Sequence, residues 1–127
     1  MLVVDTSAIL LALADPTHKA AQLMADSNDL HAPHLLDIEY LHSVRRLLRQ
    51  GELDEVQASQ LISSLSEVPI ERYSHTLMAA RIWELRHNLT AYDAAFVALA
   101  EALNAPLVTA DARMAAAPGN SAQFQVV

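Results

Sequence analysis

The chain has no cysteine, which excludes a disulfide scaffold, a thiolate metal site and a cysteine nucleophile. It is also short of positive charge. Eight basic side chains stand against 15 acidic ones, a formal net charge of −7, so no broad basic face is available to hold nucleic acid. No segment approaches the roughly 20 apolar residues of a membrane span. The longest early apolar run, AILLALA at 8–14, stops at Asp15-Pro16. Asp5 falls where a signal peptide would carry its basic start, so none is expected. Repeats, low-complexity tracts and linkers are missing as well. What remains is 127 residues, 53% hydrophobic, enough to bury roughly two-thirds of the unfolded surface around one core. The expectation is a single domain over residues 1–127, without membrane association, in the reducing cytoplasm.

Alternating strand and helix signals indicate an α/β fold. LVV at 2–4 reads as a short buried strand, followed by the helix-capping series Asp5-Thr6-Ser7. Pro16-Thr17-His18 opens a helical stretch, Leu30-His31-Ala32 is a weak strand, and His34 to Gln50 is strongly helical until Gly51 stops it. Asp54 caps a second helix to about Ser66, completing a helical hairpin. Val68-Pro69-Ile70 is a candidate edge strand. Helices are expected near 75–88 and 91–103, then strands at Pro106–Thr109 and Gln123–Val127. Strands separated by helices give a mostly parallel central sheet with helices on both faces.

In such sheets ligands bind beyond the carboxyl ends of the strands. Asp5 ends the first strand and Asp111 follows the strand LVT, so both should project from one edge. Each also reads simply as a helix N-cap, with Thr6, Ser7 and Thr109 placed to orient carboxylates or to cap. Asp93 shares an i, i+3, i+4, i+7 stripe with Phe96, Val97 and Ala100, an apolar face where a charge is costly unless paired or bound to a cation. A capping box from Thr90 is the competing explanation. On the helix after His34, a helical wheel puts Asp37 on the stripe of Leu41, Val44 and Leu48, with Glu39 nearly opposite. Pattern alone favours Asp37 as the inward acid.

Four segments, LVVDTSAIL, PHLLDIEYLHSVRRL, LTAYDAAFVALA and LVTADARMA, follow one another here in an order that resembles the PIN-domain ribonucleases of the VapC toxin type. The likeness spans nearly the whole chain. It implies a three-layer α/β/α PIN-like domain. It also implies a divalent-metal site on the positions matching the family's four acids, Asp5, Glu39, Asp93 and Asp111, with Glu39 preferred where the wheel prefers Asp37. Two carboxylates about 4 Å apart repel by about 4 kcal/mol at an effective dielectric near 20. Hard cations with oxygen ligands remove that penalty, so Mg²⁺ or Mn²⁺ is the expected cofactor, supplying the positive potential that the composition lacks. The expected activity is metal-dependent hydrolysis of RNA, leaving 5′-phosphate and 3′-hydroxyl ends, with Thr6, Ser7 and Thr109 orienting the acids. The expected partners are a cognate antitoxin and a second copy of the chain.

Other readings fare less well. His31, His34 and Asp37 at three-residue steps lack a fourth zinc ligand. Glu39-x-x-His42 and Glu84-x-x-His87 match the paired motif of di-iron bundles but leave the strands unexplained. A phospho-acceptor receiver needs a lysine after a late strand, and the lone lysine is Lys19. A non-catalytic binding module of the same fold remains open. Arg45, Arg46, Arg49, Arg81, Arg86 and Arg113 are phosphate or acidic-partner candidates against a solvated-face alternative. Trp83, Tyr40, Tyr73 and Tyr92 are assigned to core or interface rather than to base stacking.

Overall fold

A computed structural model describes residues 1–127. The first strand, β1 (Leu2–Val4), is wholly buried and ends where Asp5 turns the chain into α1 (Thr6–Ala14). Helix α2 (Lys19–Ser27) closes on Asn28 in the left-handed conformation and leads into β2 (Leu30–Pro33). The hairpin comprises α3 (Leu35–Arg49) and α4 (Glu55–Glu67), joined through Gly51 at φ 75°. Asp54 and Gln57 form a reciprocal capping box at the start of α4, and the Tyr40 hydroxyl donates to the Leu61 carbonyl at 2.9 Å between the two helices. Strand β3 (Ile70–Tyr73) follows, then α5 (Ala79–Glu84), α6 (Ala91–Leu103), β4 (Leu107–Thr109), α7 (Ala112–Ala116) and β5 (Phe124–Val126).

The sheet has the order β3-β2-β1-β4-β5, and every neighbouring pair is parallel. The mostly parallel α/β sandwich expected from the sequence is therefore parallel throughout. From β1 the chain crosses to β2 and β3 on one side and later returns to β4 and β5 on the other. The crevice between β1 and β4 is the topological switch point, where such sheets bind ligands. Register fixes it tightly: Val3 pairs with Leu107, Val4 with Val108, and the Asp5 amide donates to the Val108 carbonyl at 3.2 Å. Helix α6 packs across β1, β2 and β4, and its residues Ala94 to Ala100 are all buried, the small alanines letting the helix lie close to the sheet.

Two expectations need correction. The edge strand begins at Ile70 instead of Val68 and runs on through Glu71 and Arg72; polar residues are tolerated on an edge, and Pro69 has no N–H to give a ladder. The segment 75–88 is not one helix. It splits into a 3₁₀ turn at His75–Met78, the short α5, and a second 3₁₀ turn at Leu85–His87, with Met78 off helical geometry at φ −108°, ψ 4°. Trp83, Tyr92 and Leu77 stay exposed, whereas Tyr40 is fully buried. No helix is long and apolar enough to cross a membrane.

Candidate active site

Asp5 sits at the β1–α1 corner and is 6% exposed. Its Oδ1 accepts from the Ala8 amide at 2.9 Å and from the Ser7 hydroxyl at 2.7 Å, and Oδ2 accepts from the Thr109 hydroxyl. Thr109, fully buried at the end of β4, in turn accepts from the Asp111 amide at 2.9 Å. The Ser7 hydroxyl accepts from the Ala110 amide at 2.9 Å. One hydroxyl web thus locks the ends of the two strands flanking the switch point. Burial pushes the Asp5 carboxyl above its ordinary value of 3.8; the hydrogen bonds from Thr109, Ala8 and Ser7 oppose this, and the charge of Asp111 adds to it.

The other three acids arrive from separate helices. Asp111 caps α7, its Oδ1 accepting from the Arg113 and Met114 amides at 2.8 and 3.1 Å. Glu39 lies in the second turn of α3, where its Oε1 accepts from the Thr6 hydroxyl at 3.0 Å. Asp93 is in the first turn of α6, and its amide donates to the Thr90 cap at 3.2 Å. Burial raises the Glu39 carboxyl; Thr6 opposes, and the charges of Asp93 and Asp5 add. Burial also raises Asp93, followed by the charges of Asp111 and Asp5. The fold thus gathers carboxylates from positions 5, 39, 93 and 111 of the chain into mutual electrostatic range.

All four line a single cleft of ≈ 890 Å³ with Thr6 and Ser7. No three acids or histidines stand in direct coordinating position around one point. Like charges spread apart, and Asp5 and Asp111 already spend lone pairs on hydroxyl and amide donors. The donor chemistry nonetheless fits Mg²⁺ or Mn²⁺, because every candidate ligand is a hard oxygen.

Asp37 is not in this cleft. It forms a bidentate pair with Arg72 of β3, at 2.6 and 2.8 Å, and the Arg72 guanidinium beside it holds its carboxyl below the usual range. The wheel misleads because α3 is covered on two sides: Leu36, Tyr40 and Val44 are buried, whereas Leu41 is 43% exposed. His31 is buried but satisfied, bonded to Tyr73 Oη and Asp29 at 2.8 Å each, which leaves nothing for zinc. The two E-x-x-H pairs do not meet in a bundle: Glu39 lies in the cleft, and Glu84 pairs with Arg81.

Residues the sequence reading did not place here also line the cleft. His42, Ser43 and Arg46 follow Glu39 at i+3, i+4 and i+7, so the helical period counted from Glu39 would have found them. Arg46 is the one arginine in the lining and makes no salt bridge. Arg81, by contrast, is consumed by Glu101, Glu84 and the Gly119 carbonyl.

Comparison with known proteins is consistent in every direction. The family model described as PIN domain matches residues 2–120. Ribonuclease VapC1 of Mycobacterium tuberculosis is 41% identical over 128 residues, covering 98% of this chain and 96% of the relative. Ribonuclease VapC9 of the same organism is 45% identical over 114 residues, covering 90% and 88%. Among solved structures, PAE2754 from Pyrobaculum aerophilum superposes with a TM-score of 0.72 at 26% identity, covering 97% of this chain and 81% of that one.

Proposed function

The chain belongs to the PIN-domain family of VapC-type proteins, and on that premise we propose that it is a divalent-metal-dependent endoribonuclease, the toxin of a type II toxin–antitoxin pair. The observation that carries this reading is the convergence of Asp5, Glu39, Asp93 and Asp111 in one cleft at the β1/β4 switch point. Helix capping alone does not account for these acids. Three of these carboxyls are raised by burial, so the fold holds them at a cost to its own stability. Groups kept under such strain in a cleft are characteristic of functional sites.

In this reading Asp5, Asp93 and Asp111 hold Mg²⁺ or Mn²⁺, directly or through water. A divalent ion held by these carboxylates would lower the pKa of a bound water and offset charge on the departing 3′-oxygen. Glu39, anchored by Thr6, either joins the ligand set or orients the attacking water and takes its proton. Thr109 and Ser7 keep the Asp5 oxygens aimed, as the partners of ligating carboxylates do. Arg46, at the other end of the α3 face, supplies the cleft's guanidinium for a phosphate of the strand. The products are 5′-phosphate and 3′-hydroxyl ends. A protein antitoxin and self-association complete the reading, and exposed Ile38, Leu41 and Leu77 offer apolar contact surface for them.

The test is incubation of the protein with total cellular RNA in Mn²⁺ and in EDTA, followed by mapping of new 5′ ends. New ends bearing 5′-phosphate, present only with metal, are expected. RNA bound but uncut under both conditions would assign the chain instead to the non-catalytic alternative, and no interaction at all would overturn both.

A further inference from the structure

Beside the carboxylate cleft lies a second groove of ≈ 420 Å³ with a different character. One wall is a helical face, Ala79, Ile82, Trp83 and Arg86 at i, i+3, i+4 and i+7; the other is the start of α6 with Tyr92. Ala91 and Ala95 add small side chains to its lining. Two large aromatics stand open to solvent on its walls, Trp83 at 67% and Tyr92 at 61% exposed. Their exposure calls for a reason, since neither contributes to the core.

Three features together say what fits. First, the groove is continuous with the cleft, because Leu35 and Tyr92 line both, and Tyr92 precedes Asp93. Second, this is a chain of net charge −7 with four carboxylates next door, yet no acid lines the groove; its charged and titratable side chains are Arg86 and His75. Third, Arg86 sits over the Trp83 ring. Its guanidinium carbon lies 4.4 Å from the Trp83 ring centroid, and its Nη1 donates to the Trp83 carbonyl at 2.9 Å. A planar apolar ligand bearing negative charge is what such a surface complements, and an unpaired nucleotide has both properties.

We propose that the Trp83–Arg86–Tyr92 groove is a nucleobase subsite, stacking an unpaired base of the RNA strand whose neighbouring phosphodiester lies at the carboxylates. The inference rests on the nuclease reading and adds to it the residues that seat an unpaired base beside the cleft. The exposed parts of the Trp83 indole and Tyr92 stack the base, and Arg86 meets an adjoining phosphate. Stacking of this kind tolerates any base, so it sets strand class and register rather than sequence.

Trp83 is the single tryptophan of the chain, so its emission reports on this groove alone. Metal-free wild-type protein is titrated with a single-stranded oligoribonucleotide and, separately, with inorganic polyphosphate. The oligonucleotide is expected to quench the emission and polyphosphate to leave it unchanged. In Mn²⁺, Trp83→Ala is expected to raise KM for single-stranded RNA by about five-fold or more while kcat stays within about two-fold, and Trp83→Phe to recover much of the loss. Trp83 is exposed, so these variants retain the fold, which circular dichroism checks. Wild-type cleavage of RNA with unmoved emission and an unchanged KM for Trp83→Ala overturns the subsite and leaves the nuclease standing; the groove would then belong to a protein partner. Equal quenching by polyphosphate overturns base stacking too. Quenching by RNA without any metal-dependent cleavage supports the subsite and removes the nuclease.

Discussion

Asp5 and Asp93 carry the same charge into the same cleft, but the fold treats them differently. Asp5 accepts three hydrogen bonds from Ala8, Ser7 and Thr109; Asp93 has far less around it and is opposed by Asp111 and Asp5. An asparagine at 93 keeps the shape and removes the repulsion. An asparagine at 5 removes repulsion as well, but offers one acceptor oxygen to three donors and turns an amide toward hydroxyls. Unsatisfied buried donors cost about 1–3 kcal/mol each. In EDTA, Asp93→Asn is therefore expected to melt at or above the wild-type temperature and Asp5→Asn below Asp93→Asn, with both losing RNA cleavage. Thermal melting by circular dichroism checks the order, and a reversed order would show that the hydroxyl web around Asp5 is dispensable. The identity of Asp5, Asp93 and Asp111 as acids at strand ends and helix starts was legible because helix capping and short strand patterns are both local in sequence. The web that distinguishes them was not, since Ser7 and Thr109 meet across 102 positions.

Among the elements, α3 shows why a helical wheel is insufficient. A surface helix has one buried stripe, but α3 has two neighbours to satisfy: Leu36, Tyr40 and Val44 face the core and α4, while Glu39, His42, Ser43 and Arg46 face the cleft. Asp37 falls between them and turns outward to Arg72. Whether residue 37 or 39 lines the cleft is decided by which flank meets α1, where Thr6 bonds Glu39, and that is tertiary information. Only the resemblance carried it ahead of the structure. The same limit hid how far β3 runs past Ile70, because Glu71 and Arg72 look nothing like a buried strand when one side of it is the sheet's edge. It also hid the break near Met78, where an apolar run reads equally as one helix or as two short turns around one. The expected consequence is a split in function. Glu39→Gln lowers kcat on RNA while leaving the metal-free melting temperature near or above wild type, since burial raises that carboxyl. Asp37→Asn leaves kcat near wild type and weakens only a partly exposed pair, a cost of less than about 1 kcal/mol after solvent screening. Cleavage kinetics on one RNA for both variants checks this; a larger kcat loss in Asp37→Asn would reassign the fourth acid.

Over the whole molecule, two sets of carboxyls pull stability in opposite directions as pH changes. Asp5, Glu39 and Asp93 are raised above their ordinary values of 3.8, 4.5 and 3.8, so the folded chain keeps protons that the unfolded chain has released. Stability then falls as pH rises from those ordinary values through the raised ones, and the penalty persists at neutral pH. Asp37 and Glu101 are lowered by Arg72 and Arg81; their contribution is complete above the ordinary carboxylate range and is lost as pH falls through the lowered values. Metal-free protein should therefore gain stability on mild acidification from neutral pH and lose it again once the ion pairs titrate. A divalent ion reverses the first of these slopes, because it binds only the folded state and needs its ligands deprotonated. Melting temperatures measured across the range from about pH 4 to about pH 8 should fall with rising pH in EDTA and rise with it in Mn²⁺, so that the two curves separate most at the alkaline end, where all the cleft's acids are ionised. With net charge −7 the chain would attract some cation anywhere on its surface, so the decisive comparison is Asp93→Asn, in which that separation should collapse although a net charge of −6 remains after −7 + 1. A separation that survives the substitution would mean that manganese binds somewhere other than the switch-point cleft.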